Sequence, residues 1–167
     1  SAFLDSRNRI WWGSHEGATM LDLNRFSLPT NPPQITLGYL EVNGQYVDYR
    51  ELLTGNDSLA ANRRYLSGIT DSVATYGNYP INPIFPSNAD HLTLHFASLG
   101  WSESNQIHYS FRLDEGAWST PSPDTKADFR NLPYGQHTFQ VRALSTNGLE
   151  SVPFTYAFEI RYPWFLR

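Results

Sequence analysis

Apolar and polar positions alternate with a period of two through four segments of the chain. His137, Phe139, Val141 and Ala143 fall on one side of an extended backbone, and Thr138, Gln140 and Arg142 fall on the other. Leu92, Leu94 and Phe96 alternate with His91, Thr93 and His95. Ile107, Tyr109, Phe111 and Leu113 alternate with His108, Ser110 and Arg112. Phe154, Tyr156, Phe158, Ile160 and Tyr162 share a face opposite Thr155, Ala157, Glu159 and Arg161. A strand with one apolar face must set it against another, so the pattern predicts an all-β antiparallel sandwich with an aromatic-rich core.

Turn chemistry separates these strands. Asn131, Pro133 and Gly135 precede the strand that starts near His137. Asn43-Gly44 lies between a strand over 35–42 and the segment 45–47, the signal of a hairpin with a type I′ turn. Residues 1–27 read as short strands joined by turns, which need neighbouring strands to bury anything. Residues 28–33, with three prolines, read as a stiff connector. Asp57 or Ser58 is expected to cap a short helix over 59–66, ended by Gly68. The segment 77–88, rich in proline and asparagine, is expected to be an extended loop or irregular edge, an ordered insertion in the domain.

Composition narrows the classes. At 167 residues the chain is long enough for one comfortable domain, or for a domain of about 100 to 150 residues with an appended piece. No apolar run approaches the roughly 18 to 20 residues of a spanning helix. A formal charge of −4, with a single lysine at Lys126 and scattered arginines, gives no basic stripe and argues against nucleic-acid binding. The lack of cysteine removes disulfides, thiol catalysis and thiolate zinc sites. Aromatic residues reach 15%, in keeping with large inward-facing rings.

Candidate chemistry is sparse. His91 and His95 share a strand face about 13 Å apart, too far for one metal, and His108 could come between them only from a neighbouring strand. His15-Glu16 lacks the second histidine of a zincin motif, and Ser14 does not occupy the middle of a G-x-S-x-G elbow. Asp114-Glu115-Gly116 reads as a solvated hairpin turn, with Trp118 packing over the sheet end just after it. Trp12, Trp101, Trp118 and Tyr134 are the rings able to stack on sugars. These residues predict no catalytic site, no metal site and no cofactor, and they leave any ligand-binding residues unassigned.

Two stretches resemble a known family. The run Asp5-Ser6-Arg7-Asn8-Arg9-Ile10-Trp11-Trp12-Gly13-Ser14, then Gly17 and Leu21-Asp22, resembles the repeat that builds propeller blades in periplasmic sensors, with Asn8 in place of its glycine and Ser14 in place of its threonine. A single copy implies a piece cut from a larger array. The runs 88–101, 107–119, 129–148 and 158–165 follow in the order found in the triple-tyrosine (Y_Y_Y) domain, an immunoglobulin-like sandwich of hybrid two-component histidine kinases. Its signature positions fall on Tyr109, Phe111, Trp118, Leu132, Pro133, Gly135, His137, Phe139 and Val141, with Phe111 and His137 where tyrosines are expected. Trp11, Trp12 and Gly13 mark the blade repeat.

The resemblance implies a propeller-repeat remnant at 1–27, a linker at 28–33, an immunoglobulin-like sandwich at 34–163 and a pre-membrane segment at 164–167. It also implies a periplasmic, membrane-proximal module of an inner-membrane histidine kinase, anchored just beyond Pro163-Trp164-Phe165. The sandwich would pair with its copy as a homodimer, and oligosaccharide would be bound mainly by propeller domains outside the chain. The rival class is a carbohydrate-binding or adhesion sandwich of a secreted multidomain protein.

Overall fold

The structure, a computed structural model, describes residues 2–14, 17–25, 32–54, 70, 72–99, 107–146 and 148–166. It divides into two units, Ser1–Asn31 and Pro32–Arg167.

The first unit is a three-stranded antiparallel sheet of β1 (Ala2–Leu4), β2 (Arg9–Ser14) and β3 (Gly17–Asp22), in that order. One side chain organises the turn between β1 and β2. Asp5 Oδ1 accepts the backbone N–H groups of Arg7 and Arg9 at 2.9 and 3.0 Å, while Oδ2 accepts Arg9 Nε–H at 2.8 Å and the Trp11 indole N–H at 2.9 Å. The Arg9 bond is the main reason the Asp5 carboxyl titrates well below the usual carboxylate range. Asn8 takes φ 59°, the left-handed region where glycine or asparagine is favoured, so its presence at that point of the repeat has a backbone reason. Among the described residues of this unit none is buried.

The second unit is a sandwich of two four-stranded sheets. One has the order β6 (Ile84–Phe85), β11 (Phe154–Ile160), β10 (Gly135–Ser145), β8 (Ile107–Leu113); the other has β5 (Gln45–Tyr46), β4 (Gln34–Val42), β7 (Leu92–Leu99), β9 (Lys126–Phe129). All named pairings are antiparallel except β6 with β11, which is parallel. The expected antiparallel sandwich therefore carries one parallel edge, because β6 is not joined to β11 by a hairpin but comes from the long segment before β7.

The alternation sets the faces as expected. Phe139, Val141 and Ala143 are fully buried, with Leu92, Leu94, Phe96, Tyr109, Tyr156, Phe158 and Ile160 against them. Phe96, Phe111, Phe129 and Phe139 meet between the sheets with ring centroids 5.8 to 6.4 Å apart. Tyr162 falls beyond the last strand and is exposed. Asn43 and Gly44 both have positive φ, 50° and 74°, as a type I′ turn requires.

The segment 72–89 is tied in closely. Gly77 takes φ 120° and approaches the chain so closely that a Cβ there would meet the Leu37 carbonyl at 2.8 Å. Next to it, the Asn78 backbone N–H donates to Gly38 O at 2.7 Å, at the bulge between Leu37 and Tyr39, and its side chain spans Val47 O, Tyr46 Oη and the Tyr49 N–H. Tyr79, Pro80, Phe85 and Ala89 are buried, so this loop supplies core as well as an edge. A helix occupies Tyr49–Thr54, where Asp48 Oδ1 accepts the N–H groups of Arg50 and Glu51 at 3.1 and 3.0 Å. The helix expected over 59–66 lies outside the described residues.

Candidate functional site on the outer faces of the sandwich

Three constellations carry polar chemistry. The first is the corner before β10. Asn131 (φ 55°) and Gly135 (φ 113°) turn the chain, Leu132 is buried, and His137 is 5% exposed. His137 Nε2–H donates to Pro133 O at 2.8 Å, and Nδ1 lies 3.0 Å from Asp114 Oδ2. The Pro133 carbonyl can only accept, so Nε2 carries the hydrogen of that bond. The imidazole thus does the job of a tyrosine corner, tying a strand start to upstream backbone. Asp114 is not the freely solvated turn residue expected from Asp-Glu-Gly: it sits at φ 55°, its Oδ1 accepts the Thr138 N–H at 2.8 Å, and its own N–H donates to Thr138 O at 2.6 Å.

The second constellation covers the outer face of the β6-β11-β10-β8 sheet. Trp118 does not cap the sheet end as expected. It packs over that face, with the Arg112 and Arg142 guanidiniums 4.7 and 4.3 Å from its ring centroid. Residues 119–122 run back along β8 through bonds between Ser119 and Phe111 and between Ser122 and Tyr109, and this holds the indole in place. Arg112 Nε–H donates to Gln140 Oε1 at 2.7 Å, Gln140 Nε2–H to Thr155 Oγ1 at 3.3 Å, and Arg142 Nη1–H to Glu150 Oε1 at 2.7 Å. Arg142 Nε is buried with no partner among the described residues.

The third lies on the outer face of the other sheet. His95 stacks on Tyr39 at 4.1 Å, and its Nε2 lies 2.9 Å from Glu41 Oε2. His91 Nε2 lies 2.6 Å from Asp128 Oδ1, which also accepts the Thr93 hydroxyl at 2.7 Å, while Arg130 Nε–H donates to Oδ2 at 3.1 Å. The Thr93 hydroxyl, then His91, hold the Asp128 carboxyl well below the usual range. The two histidines are therefore half-buried and committed to separate carboxylates, not solvated, and His108 lies on β8 of the opposite sheet. Among the described residues no three His, Asp or Glu side chains are placed to share a metal.

The other sequence-derived positions scatter by role. Tyr109, Phe111, Phe139 and Val141 are core; the Tyr109 hydroxyl accepts the Ser98 N–H at 3.1 Å. Trp11, Trp12 and Gly13 lie on β2 of the first unit, Trp12 being 40% exposed. Trp101 is outside the described residues, and exposed Tyr134 meets the Tyr162 ring at 5.8 Å. Sequence reasoning missed Asp114, Asp128 and Glu41, whose partners lie 23 to 54 residues away and leave no local signal. It also missed a buried tyrosine trio. Burial, then Tyr49 and Tyr79, push up the Tyr156 phenol, whose O–H donates to Pro80 O at 2.8 Å.

The Y_Y_Y domain family matches residues 102–161. A comparison with curated proteins returned no match. Among solved structures, the chain is similar to an extracellular domain described as that of the hybrid two-component system BT3049 from B. thetaiotaomicron, with TM-score 0.56 and 19% identity over 95% of this chain and 19% of that one. It is also similar to the extracellular domain of BT4673 from B. thetaiotaomicron, described in one structure as a hybrid two-component system and in another as a one component system. The TM-scores are 0.57 and 0.54, each with 20% identity over 98% of this chain and 20% of that one. The chain spans about a fifth of the length of these structures. Residues 102–161, in the sandwich, are thus similar to the Y_Y_Y domain, and the chain shares its fold with extracellular domains described as those of hybrid two-component and one-component systems.

Proposed function

We propose that this chain is the membrane-proximal part of the periplasmic sensing region of a hybrid two-component histidine kinase, and that it transmits a signal without catalysing a reaction itself. The alignment over 95–98% of the chain with extracellular domains of such systems is the observation that carries this reading. In it, residues 1–27 are the end of a propeller whose other strands lie outside the chain, and polysaccharide-derived oligosaccharides bind mainly there. The sandwich pairs with its copy and passes a change of geometry to a membrane anchor beyond Trp164-Phe165. The exposed run Tyr162, Trp164, Phe165 and Leu166 suits a membrane interface. Ligand must favour one of two dimer arrangements, since equal affinity for both shifts nothing.

Light scattering over a concentration range, on this chain and on a version starting at Pro32, tests the pairing. The reading expects a concentration-dependent dimer in both. A dimer lost on truncation assigns self-association to unpaired blade strands, and monomers throughout contradict pairing by the sandwich alone.

A further inference from the structure

A groove of about 340 Å³ on the outer face of the β6-β11-β10-β8 sheet is lined by Asn82, Pro83, Gln136, Thr138, Ala157 and Glu159, among others. Register builds it. Gln136 stands opposite Glu159 and Thr138 opposite Ala157 across β10 and β11, and all four point outward because their neighbours His137 and Phe158 are buried. Ala157 is the shortest side chain in the row Thr155, Ala157, Glu159, which leaves a hollow floor. The third wall is seated by the Glu159 N–H donating to Pro83 O at 3.0 Å, and Asn82 beside it takes φ 45°. Asp114 holds both backbone groups of Thr138.

The polar side chains of this face divide in two. Gln140 is bonded at both ends, to Arg112 and Thr155. By contrast, the side chains of Gln136 and Thr138 on β10, Glu159 on β11 and Asn82 in the loop before β6 make no hydrogen bond to any described residue, and all four line the groove. Two amides, a hydroxyl and a carboxylate form a mixed donor and acceptor set, and the exposed Ala157 methyl adds an apolar floor.

We propose that this groove binds one ring of a neutral polyol, a hexopyranose unit. Vicinal hydroxyls donate to Glu159 and exchange hydrogen bonds with the Gln136 and Asn82 amides, while a C–H face of the ring rests on the exposed Ala157. The volume is at the lower end of the roughly 300 to 1,000 Å³ usual for ligand pockets, which suits a single ring. Glu159 puts negative charge on the wall and selects against an acidic sugar. The site stands apart from the proposed sensing role, which places the sensed ligand outside this chain.

The test is a titration of the whole chain followed by ¹H–¹⁵N correlation spectra, with methyl glucopyranoside, methyl galactopyranoside, methyl mannopyranoside and, separately, glucuronate. A dissociation constant on the order of 1 mM is expected for at least one neutral glycoside. Its shifts should saturate and centre on the amides of Gln136, Thr138, Ala157 and Glu159, with glucuronate at least tenfold weaker. Glu159→Ala should weaken the response about tenfold, and Ala157→Leu should abolish it by filling the floor while leaving the spectrum of the core unchanged. Shifts that rise linearly for every polyol, that saturate elsewhere, that persist in Ala157→Leu, or that are matched by glucuronate overturn the proposal.

Discussion

The first sheet and the sandwich are built from the same grammar of strands and turns, yet they solve burial differently. The sandwich closes twenty-one of its described hydrophobic residues into one core, among them Phe85, Phe139 and Ile160 at 0% exposure. The first sheet has no buried residue among those described, and Phe3, Leu4, Trp12 and Met20 are all exposed. Its side chains are tied by local polar chemistry, around Asp5 and around Asp22 and Asn24. A hub of this kind shapes a turn but supplies little of the apolar burial that stabilises a fold. The sandwich thus has a core of its own, whereas the apolar side chains of the first sheet stay largely open.

The largest expected effect comes from breaking the sandwich side of this contrast. Phe139→Ala should destabilise the main unfolding transition by about 3–5 kcal/mol, whereas Trp12→Ala should leave it within about 0.5 kcal/mol. Chemical denaturation followed by circular dichroism reads both. Next, His137→Ala should cost about 2–4 kcal/mol, because it removes a buried ring and leaves Pro133 O without its partner. A loss under about 0.5 kcal/mol would show that the corner is held by other contacts.

Two tyrosines sharpen the comparison further. Tyr156→Phe loses the bond to Pro80 O and should cost about 1 kcal/mol, while Tyr49→Phe removes a buried hydroxyl with no partner among the described residues and should be neutral or stabilising by up to about 1 kcal/mol. The same substitution thus has opposite expected signs in one core.

The smallest effect is the acid one. The folded-state pKa of Asp128 is depressed, so its contribution is complete above the ordinary carboxylate value near about 4 and is lost as pH falls below it toward the folded value. Because its side chain is 38% exposed, screening limits that contribution to less than about 1 kcal/mol. Asp128→Asn should flatten the decline of sandwich stability between about pH 4 and 2, read by denaturant midpoints at each pH.

Much of the sandwich was legible because a strand half-buried in a core writes its face into every second residue. The β10 alternation and the positive-φ pair Asn43-Gly44 are local signals of that kind. The helix at Tyr49–Thr54 was not expected although Asp48 caps its first turn, because six residues are too few to show a helical period. The bulge at Gly38 and the fit of Gly77-Asn78 against it were illegible because they join segments some forty residues apart. For the candidate site, the rings were visible and their surroundings were not. Trp118 was recognisable as a turn-following indole, but the two arginines beneath it come from strands paired only in space.

Native-state amide hydrogen exchange on the whole chain tests most directly whether the sandwich stands on its own while the first sheet depends on strands outside the chain. The account predicts that Phe139, Val141 and Tyr156 amides exchange only through global unfolding. Amides of Trp11 and Trp12 should exchange orders of magnitude faster, with the slow set unchanged in a version starting at Pro32. Equal protection of both sets, or loss of sandwich protection on that truncation, would contradict it.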